Sequence, residues 1–320
     1  MKVQCCLGCG SDQFELKGGP GLPVEIMLKD RVFEQPEYRV RHCQTCGLVY
    51  KSDVADRETL EDYYEAIDFS KWEADDLYPT ERAVVDVLAA LPGGSRILDY
   101  GCSTGRLLSK LTDKHRCYGV EVNQEAARVA AEKGIEILNA EGGLPGGATE
   151  FDAIVLSDVF EHLFEPTRIL RGLVRHLRRG GLLVLSTGNA DAKACRHDIA
   201  SFWYFRTPEH LSMMTKSYAA YLAEKLSLNL ILWREMCHYT PTLSDKLKQQ
   251  ARHFAYWQFR KNPPSVWRHL LRPIPLLNRA PDWKLPPLFN YSKDHVVMVF
   301  KKAQSGAQPE TVAAPLRATS

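Results

Sequence analysis

The chain has 320 residues, 41 Lys and Arg against 39 Asp and Glu, and 45% hydrophobic side chains. That length suits one large domain or two smaller ones, and the mix of apolar and charged residues excludes global disorder. A net charge of +2 offers no large basic footprint for nucleic acid, although it averages over local patches.

The N-terminus, Met1-Lys-Val-Gln-Cys-Cys6, has no signal-peptide core, and no apolar run nears the roughly 20 residues of a membrane span. A cytoplasmic protein is therefore expected. Five of the nine cysteines fall within the first 46 residues, and two segments match: Cys6-Leu-Gly-Cys9-Gly10 and Cys43-Gln-Thr-Cys46-Gly47. Each Cys-x-x-Cys turn lets two thiolates reach one ion about 2.3 Å away, and the following glycine can adopt the positive φ that curls the chain beneath it. Cys6, Cys9, Cys43 and Cys46 are thus expected to hold a structural Zn2+. Cys5 or His42 could compete, but neither repeats the spacing. A redox Cys-x-x-Cys would need a strand-to-helix setting and would not explain two copies.

Helical patterns follow at 56–65 and from Thr80 to Leu91, the second stopped by Pro92-Gly-Gly94. The period then changes. Arg96–Tyr100 reads as a strand, followed by a helix through Leu107, Leu108 and Leu111. Cys117–Glu121 is a second strand, Gln124–Lys133 a helix capped by Asn123, and Ile135–Leu138 a third strand. Phe151–Leu156 is a fourth, a helix runs from Pro166 to Arg179, and Leu182–Ser186 is a fifth. Such alternation predicts an α/β, doubly wound sheet of mainly parallel strands. A helix at 215–226 and strands at 229–233 and 295–300 complete it, and an Ala/Ser/Pro-rich tail begins at Ala303.

The first strand leads into Asp99-Tyr-Gly101-Cys102-Ser103-Thr-Gly105, small residues that allow backbone to approach a ligand. Glu121 ends the second strand 20 residues after Gly101, where a nucleotide fold places a ribose-binding carboxylate. The G-x-G-x-x-G of a dinucleotide site is missing. These residues resemble instead the first motif of the class I S-adenosylmethionine-dependent methyltransferases, acidic-x-Gly-x-Gly-x-Gly, with Ser103 in place of the middle glycine. Phe151–Leu163, Arg179–Thr187 and Pro208-Glu-His-Leu211 look like later parts of that family, over roughly residues 80 to 235. The paired knuckles are similar to a subgroup with a zinc ribbon ahead of the domain.

The resemblance implies a seven-stranded Rossmann-like sheet and S-adenosylmethionine as cofactor. It places Asp99, Gly101, Cys102, Ser103, Gly105 and Glu121 around the methionine and ribose, Asn139 beside the adenine, and Ser157 and Asp158 beside the methyl group. It implies a division into ribbon (1–52), helical linker covering the cofactor (53–92), methyltransferase domain (93–302) and disordered tail (303–320). His162 and His210 are the candidate general bases, because imidazole titrates near neutral pH and both follow a strand on the ligand side.

An insertion at about 241–292 separates the last two strands. Residues 241–282 carry eight Lys and Arg against two acids, interleaved with tryptophans. It could cover the site, or meet a phosphate-bearing or lipid-linked substrate, a membrane surface or nucleic acid. The expected acceptor is a small or carrier-linked metabolite. A nucleotide-linked sugar is the alternative, and near-neutral charge argues against RNA.

Overall fold

The computed structural model describes residues 1–18, 24–28, 31–35, 37–66, 76–138, 144, 150–196, 198–261, 265–275, 277–290 and 292–304. Asn139 and most of the tail lie outside them. In chain order come β1 (Phe14–Leu16), β2 (Val24–Leu28), β3 (Arg31–Gln35), β4 (Val40–Cys43) and β5 (Val49–Lys51), then α1 (Arg57–Ala66) and α2 (Pro79–Ala89). β6 (Arg96–Tyr100), β7 (Arg116–Val120), α3 (Gln124–Glu132), β8 (Glu136–Ile137), β9 (Phe151–Ser157), α4 (Pro166–Arg175) and β10 (Leu177–Gly188) follow. The chain continues through β11 (Ser212–Met213), α5 (Lys216–Lys225), β12 (Leu228–Met236), α6 (Leu243–Arg260), α7 (Trp267–Leu271) and β13 (His295–Lys302).

Seven strands form one sheet in the order β12-β13-β10-β9-β6-β7-β8. β13 runs antiparallel to both neighbours and the others run parallel. This is the Rossmann-like arrangement expected from the alternating pattern. The chain leaves β6 for β7 on one side and returns to β9 on the other. The switch point, where such sheets bind ligands, therefore lies at the carboxyl ends of β6 and β9. Ile97, Leu98, Ile154, Val155, Val184 and Val297 are fully buried, as strands covered on both faces require.

Two local expectations are corrected. The helix predicted through Leu111 is a run of turns with one 3-10 turn at Leu108–Lys110. Leu108 and Leu111 lie three residues apart, so the tighter winding still buries both. α4 stops at Arg175, not Arg179; Gly180 and Gly181 lie inside β10, where the register against β9 shifts between Leu177 and Leu182.

The N-terminal sheet is not closed on itself. β1, β4 and β5 pair antiparallel, and β11, from the larger half of the chain, adds as a fourth strand. Lys51 N–H donates to the Leu211 carbonyl at 2.9 Å. Its ammonium is fully buried and donates to Gln35 Oε1 at 2.9 Å and the Thr207 carbonyl at 2.5 Å. Cys6, Cys43, Cys46, Leu48 and Tyr50 belong to the same apolar core as Leu98, Ile154 and Leu185.

The insertion forms a small helical unit in which Ala255, Phe259, Leu271, Leu277 and Ala280 make a separate core. It meets the main body where Arg206 donates to the Pro286 carbonyl at 2.7 Å and where Phe289 packs on the core of Tyr38, Phe202 and Phe205. Among the described residues, no helix is long and apolar enough to cross a membrane.

Candidate functional site

β6 ends in a loop whose shape depends on missing side chains. Gly101 sits at φ +86°, and a Cβ there would lie 2.6 Å from Val159. Gly105 sits at φ +73° against Ala130 and Ile135. Ser103 also has positive φ, +47°, and its N–H donates to Glu121 Oε2 at 2.8 Å. Glu121 Oε1 accepts the Asn123 N–H at 2.8 Å. One carboxylate thus clamps the loop after β6 to the start of α3. The Cys102 thiol turns away, packed where a Cβ on Gly119 would stand, and burial raises its pKa. Cys102 can offer a ligand its backbone only.

Asp99 is 3% exposed and its Oδ1 has no hydrogen-bond partner among the described residues. Burial, then the charges of Glu121 and Glu81, raise its pKa well above the ordinary carboxylate value. Ser157 Oγ and Asp158 Oδ1, at the end of β9, are likewise buried without partners. Asp158 has φ +52°, and burial followed by the Glu161 charge pushes its pKa up to about 7. Buried polar atoms left unpaired are costly unless a ligand or water meets them. A nucleoside-type cofactor with an amino group and ribose hydroxyls fits this set: orphaned acceptors, a backbone cradle without Cβ atoms, and Glu121 at the edge.

His162 and His210 come together although 48 positions separate them. Their rings are 5.0 Å apart. His162 Nδ1 faces the Glu209 carbonyl at 3.1 Å, and His210 Nδ1 faces the Tyr204 carbonyl at 2.7 Å. A carbonyl only accepts, so each Nδ1 carries a proton, and in the neutral ring Nε2 is the open lone pair. Burial, then the neighbouring imidazole of His162, holds His210 well below its ordinary pKa. Its ring packs on Tyr204, with centroids 4.2 Å apart and planes tilted by 34°.

Sequence reading did not select the groups behind this wall. Glu161 is 1% exposed; it accepts the Tyr204 hydroxyl and, at 2.8 Å, the Thr187 hydroxyl. The two donors offset the cost of burying a carboxylate. Tyr204 also accepts the Gly188 N–H at 2.8 Å, so it staples the end of β10 to the loop that carries His210. His238 and His295, also unselected, each bring a ring nitrogen within 4.8 Å of an Asp158 carboxylate oxygen. No local spacing announces these groups, because each partner comes from a different strand end.

In the ribbon, the sulfurs of Cys6, Cys9, Cys43 and Cys46 lie within 4.8 Å of one another. The Cys6–Cys46 and Cys9–Cys43 separations are both 3.5 Å, too long for disulfides and close to the roughly 3.8 Å edge of a tetrahedron with 2.3 Å metal–sulfur bonds. Gly10 and Gly47 take positive φ, +76° and +83°. Cys5 is exposed and outside the cluster. The four-thiol set fits zinc.

Residues 72–232, half of the chain, match the family model described as a methyltransferase domain. The chain is 28% identical over 172 residues to a ubiquinone biosynthesis O-methyltransferase of Aeromonas salmonicida, covering 48% of this chain and 71% of that one. It is 34% identical over 110 residues to the Caulobacter protein of the same name, covering 32% and 44%. It is 29% identical over 130 residues to an uncharacterised protein of Methanocaldococcus jannaschii, covering 40% and 60%. The chain thus spans less than two thirds of the latter two relatives. Among solved structures, the YcgJ protein of Bacillus subtilis aligns with TM-score 0.48 and 16% identity over 71% of this chain and 99% of that one. Coclaurine N-methyltransferase, solved with N-methylheliamine and SAH, aligns with TM-score 0.43 and 16% identity over 69% and 72%.

Proposed function

The chain belongs to the methyltransferase-domain family, and from that premise we propose that it transfers a methyl group from S-adenosylmethionine to a small or carrier-linked acceptor. The observation that carries this reading is the clamp of Glu121 on Ser103 and Asn123 beside the unpaired Asp99, at the switch point of the sheet. When bound, S-adenosylmethionine supplies an activated sulfonium methyl, so the chain's work is alignment and proton removal. In this proposal Gly101, Cys102, Ser103 and Gly105 offer backbone to the methionine part, Asp99 meets its amino group, and Glu121 takes the ribose. Ser157 and Asp158 stand beside the methyl group. The names of the Aeromonas and Caulobacter relatives favour an oxygen acceptor.

An oxygen acceptor must lose a proton, and His162 and His210 each present a free Nε2 for it. Replacing the correct one by Ala is expected to lower turnover about 100-fold or more with S-adenosylmethionine affinity unchanged. Turnover of labelled cofactor by His162→Ala and His210→Ala decides between them; near-wild-type rates in both variants would exclude both.

A membrane surface is the proposed source of a carrier-linked acceptor. In the insertion Leu243, Leu247, Val266, Trp267, Leu270 and Ile274 are 41% to 75% exposed, and Phe254 meets Trp267 at 5.6 Å, joining α6 to α7. Lys248, Arg252, Lys261 and Arg272 are exposed on the same unit. Exposed apolar side chains and cations on one small unit suit an anionic bilayer. Flotation with phosphatidylglycerol vesicles is expected to carry the protein, and Trp267→Glu with Leu270→Glu to abolish it. A wild-type protein that stays in the soluble fraction would sink this proposal.

A further inference from the structure

At the carboxyl edge of the sheet, three side chains from three distant parts of the chain converge. Asp158 leaves β9, His238 follows β12 and His295 opens β13, and one ligand atom of each lies within 4.8 Å of the other two. His295 Nε2 is 4.0 Å from Asp158 Oδ1, an oxygen with no hydrogen-bond partner among the described residues. The two imidazole rings lie 4.6 Å apart.

The outer nitrogens of both rings are engaged. His295 Nδ1 faces Asp294 Oδ1 at 3.3 Å. Asp294 is fully buried, and its second oxygen accepts the Trp203 indole N–H at 3.2 Å. His238 Nδ1 faces the Thr80 hydroxyl at 3.1 Å, which leaves Nε2 as its open nitrogen. A carboxylate or hydroxyl on the outer nitrogen is the arrangement that fixes the tautomer and orientation of a metal-ligating histidine.

We propose that Asp158, His238 and His295 bind a first-row divalent cation, with its open coordination positions facing the cleft. Two imidazoles with one carboxylate favour zinc, iron or cobalt over magnesium or calcium, which prefer all-oxygen sets. Bonds of about 2.1 Å would place ligand atoms about 3.4 Å apart, so small side-chain rotations close the site. The neighbouring group of Glu161, His162 and His210 is a poorer site, because both oxygens of Glu161 already accept hydroxyls. An acceptor hydroxyl held on the cation would lose its proton more readily. That use rests on the methyl-transfer reading; the binding of the ion does not.

The test is titration of the full-length, zinc-loaded protein with Co2+, followed by calorimetry and visible absorption. One Co2+ is expected beyond the ribbon zinc, with the weak d–d bands of a nitrogen–oxygen set and no sulfur charge-transfer bands. His238→Gln and His295→Gln are expected to weaken binding by at least about 100-fold, Asp294→Asn by about 10-fold, and His162→Ala not at all. His238 is only half-buried, so His238→Gln decides the matter if His295→Gln does not fold. Absence of a second ion, or binding indifferent to His238→Gln, overturns the site. Binding lost equally in His162→Ala also overturns it, because the ion then lies elsewhere. A protein that binds Co2+ in this way but transfers no methyl group keeps the site and loses the functional reading.

Discussion

Stripping zinc from the ribbon, or replacing Cys43 and Cys46 by Ser, is expected to unfold the N-terminal segment and cut acceptor turnover by at least about 10-fold, while S-adenosylmethionine still binds. The stabilisation at stake is large: a structural zinc contributes on the order of 10 kcal/mol to a module too small to hold itself together. The effect should reach the cleft because a strand from the larger half of the chain completes the ribbon sheet. β5 pairs with β11 at Tyr50–Ser212 and Val49–Met213, and Thr215 donates to the Gly47 carbonyl at 2.8 Å. Lys51 holds the carbonyls of Thr207 and Leu211 differently, through its ammonium on the first and its N–H on the second. His210 lies between those two positions. Loss of the ribbon therefore frees the segment that carries a candidate base. Elemental analysis, limited proteolysis and cofactor calorimetry on the same sample are the measurements. No zinc in the protein as purified, or full turnover after chelation, would defeat the idea.

Glu121→Ala is expected to weaken S-adenosylmethionine binding by about 100-fold or more. A hydrogen bond to a charged acceptor contributes about 1.5–3 kcal/mol, and the proposed ribose contact has two. The same change releases the N–H groups of Ser103 and Asn123, so the loop after β6 loses its clamp. Glu121→Gln keeps an acceptor oxygen and should fall between. Calorimetry with S-adenosylmethionine and an analogue lacking the ribose hydroxyls separates the two roles. If Glu121 only clamps the loop, both ligands weaken equally in Glu121→Ala. If it holds the ribose, the analogue loses little.

The ribbon ligands follow from spacing, because two cysteines three positions apart must share one turn. The position of Glu121 follows from a strand of known length after a glycine turn. What Glu121 touches does not follow: its bonds to Ser103 and Asn123 depend on the positive φ of Ser103, which no neighbour in sequence demands. The helix expected at Leu107–Leu111 shows the limit of periodicity, since a three-residue repeat serves a 3-10 turn and an α-helix alike.

His162 and His210 stand out in sequence because imidazole titrates near neutral pH and both are expected past a strand on the ligand side. Their pairing across 5.0 Å, and their anchoring by the carbonyls of Glu209 and Tyr204, come from the sheet order. Glu161 points back to Thr187 and Tyr204 rather than into the cleft, although it is adjacent to His162. The alternation of strand and helix, the knuckles and the glycine turn are local, set by covalent geometry and burial within a few residues, and the sequence alone determined them. The sharing of β11 with the ribbon and the meeting of Asp158 with His238 and His295 were decided only by the tertiary structure. Asp158 lies 80 and 137 positions from His238 and His295, and β5 and β11 pair across 162 to 164 positions, so only the order in which the strands pair brings these partners together.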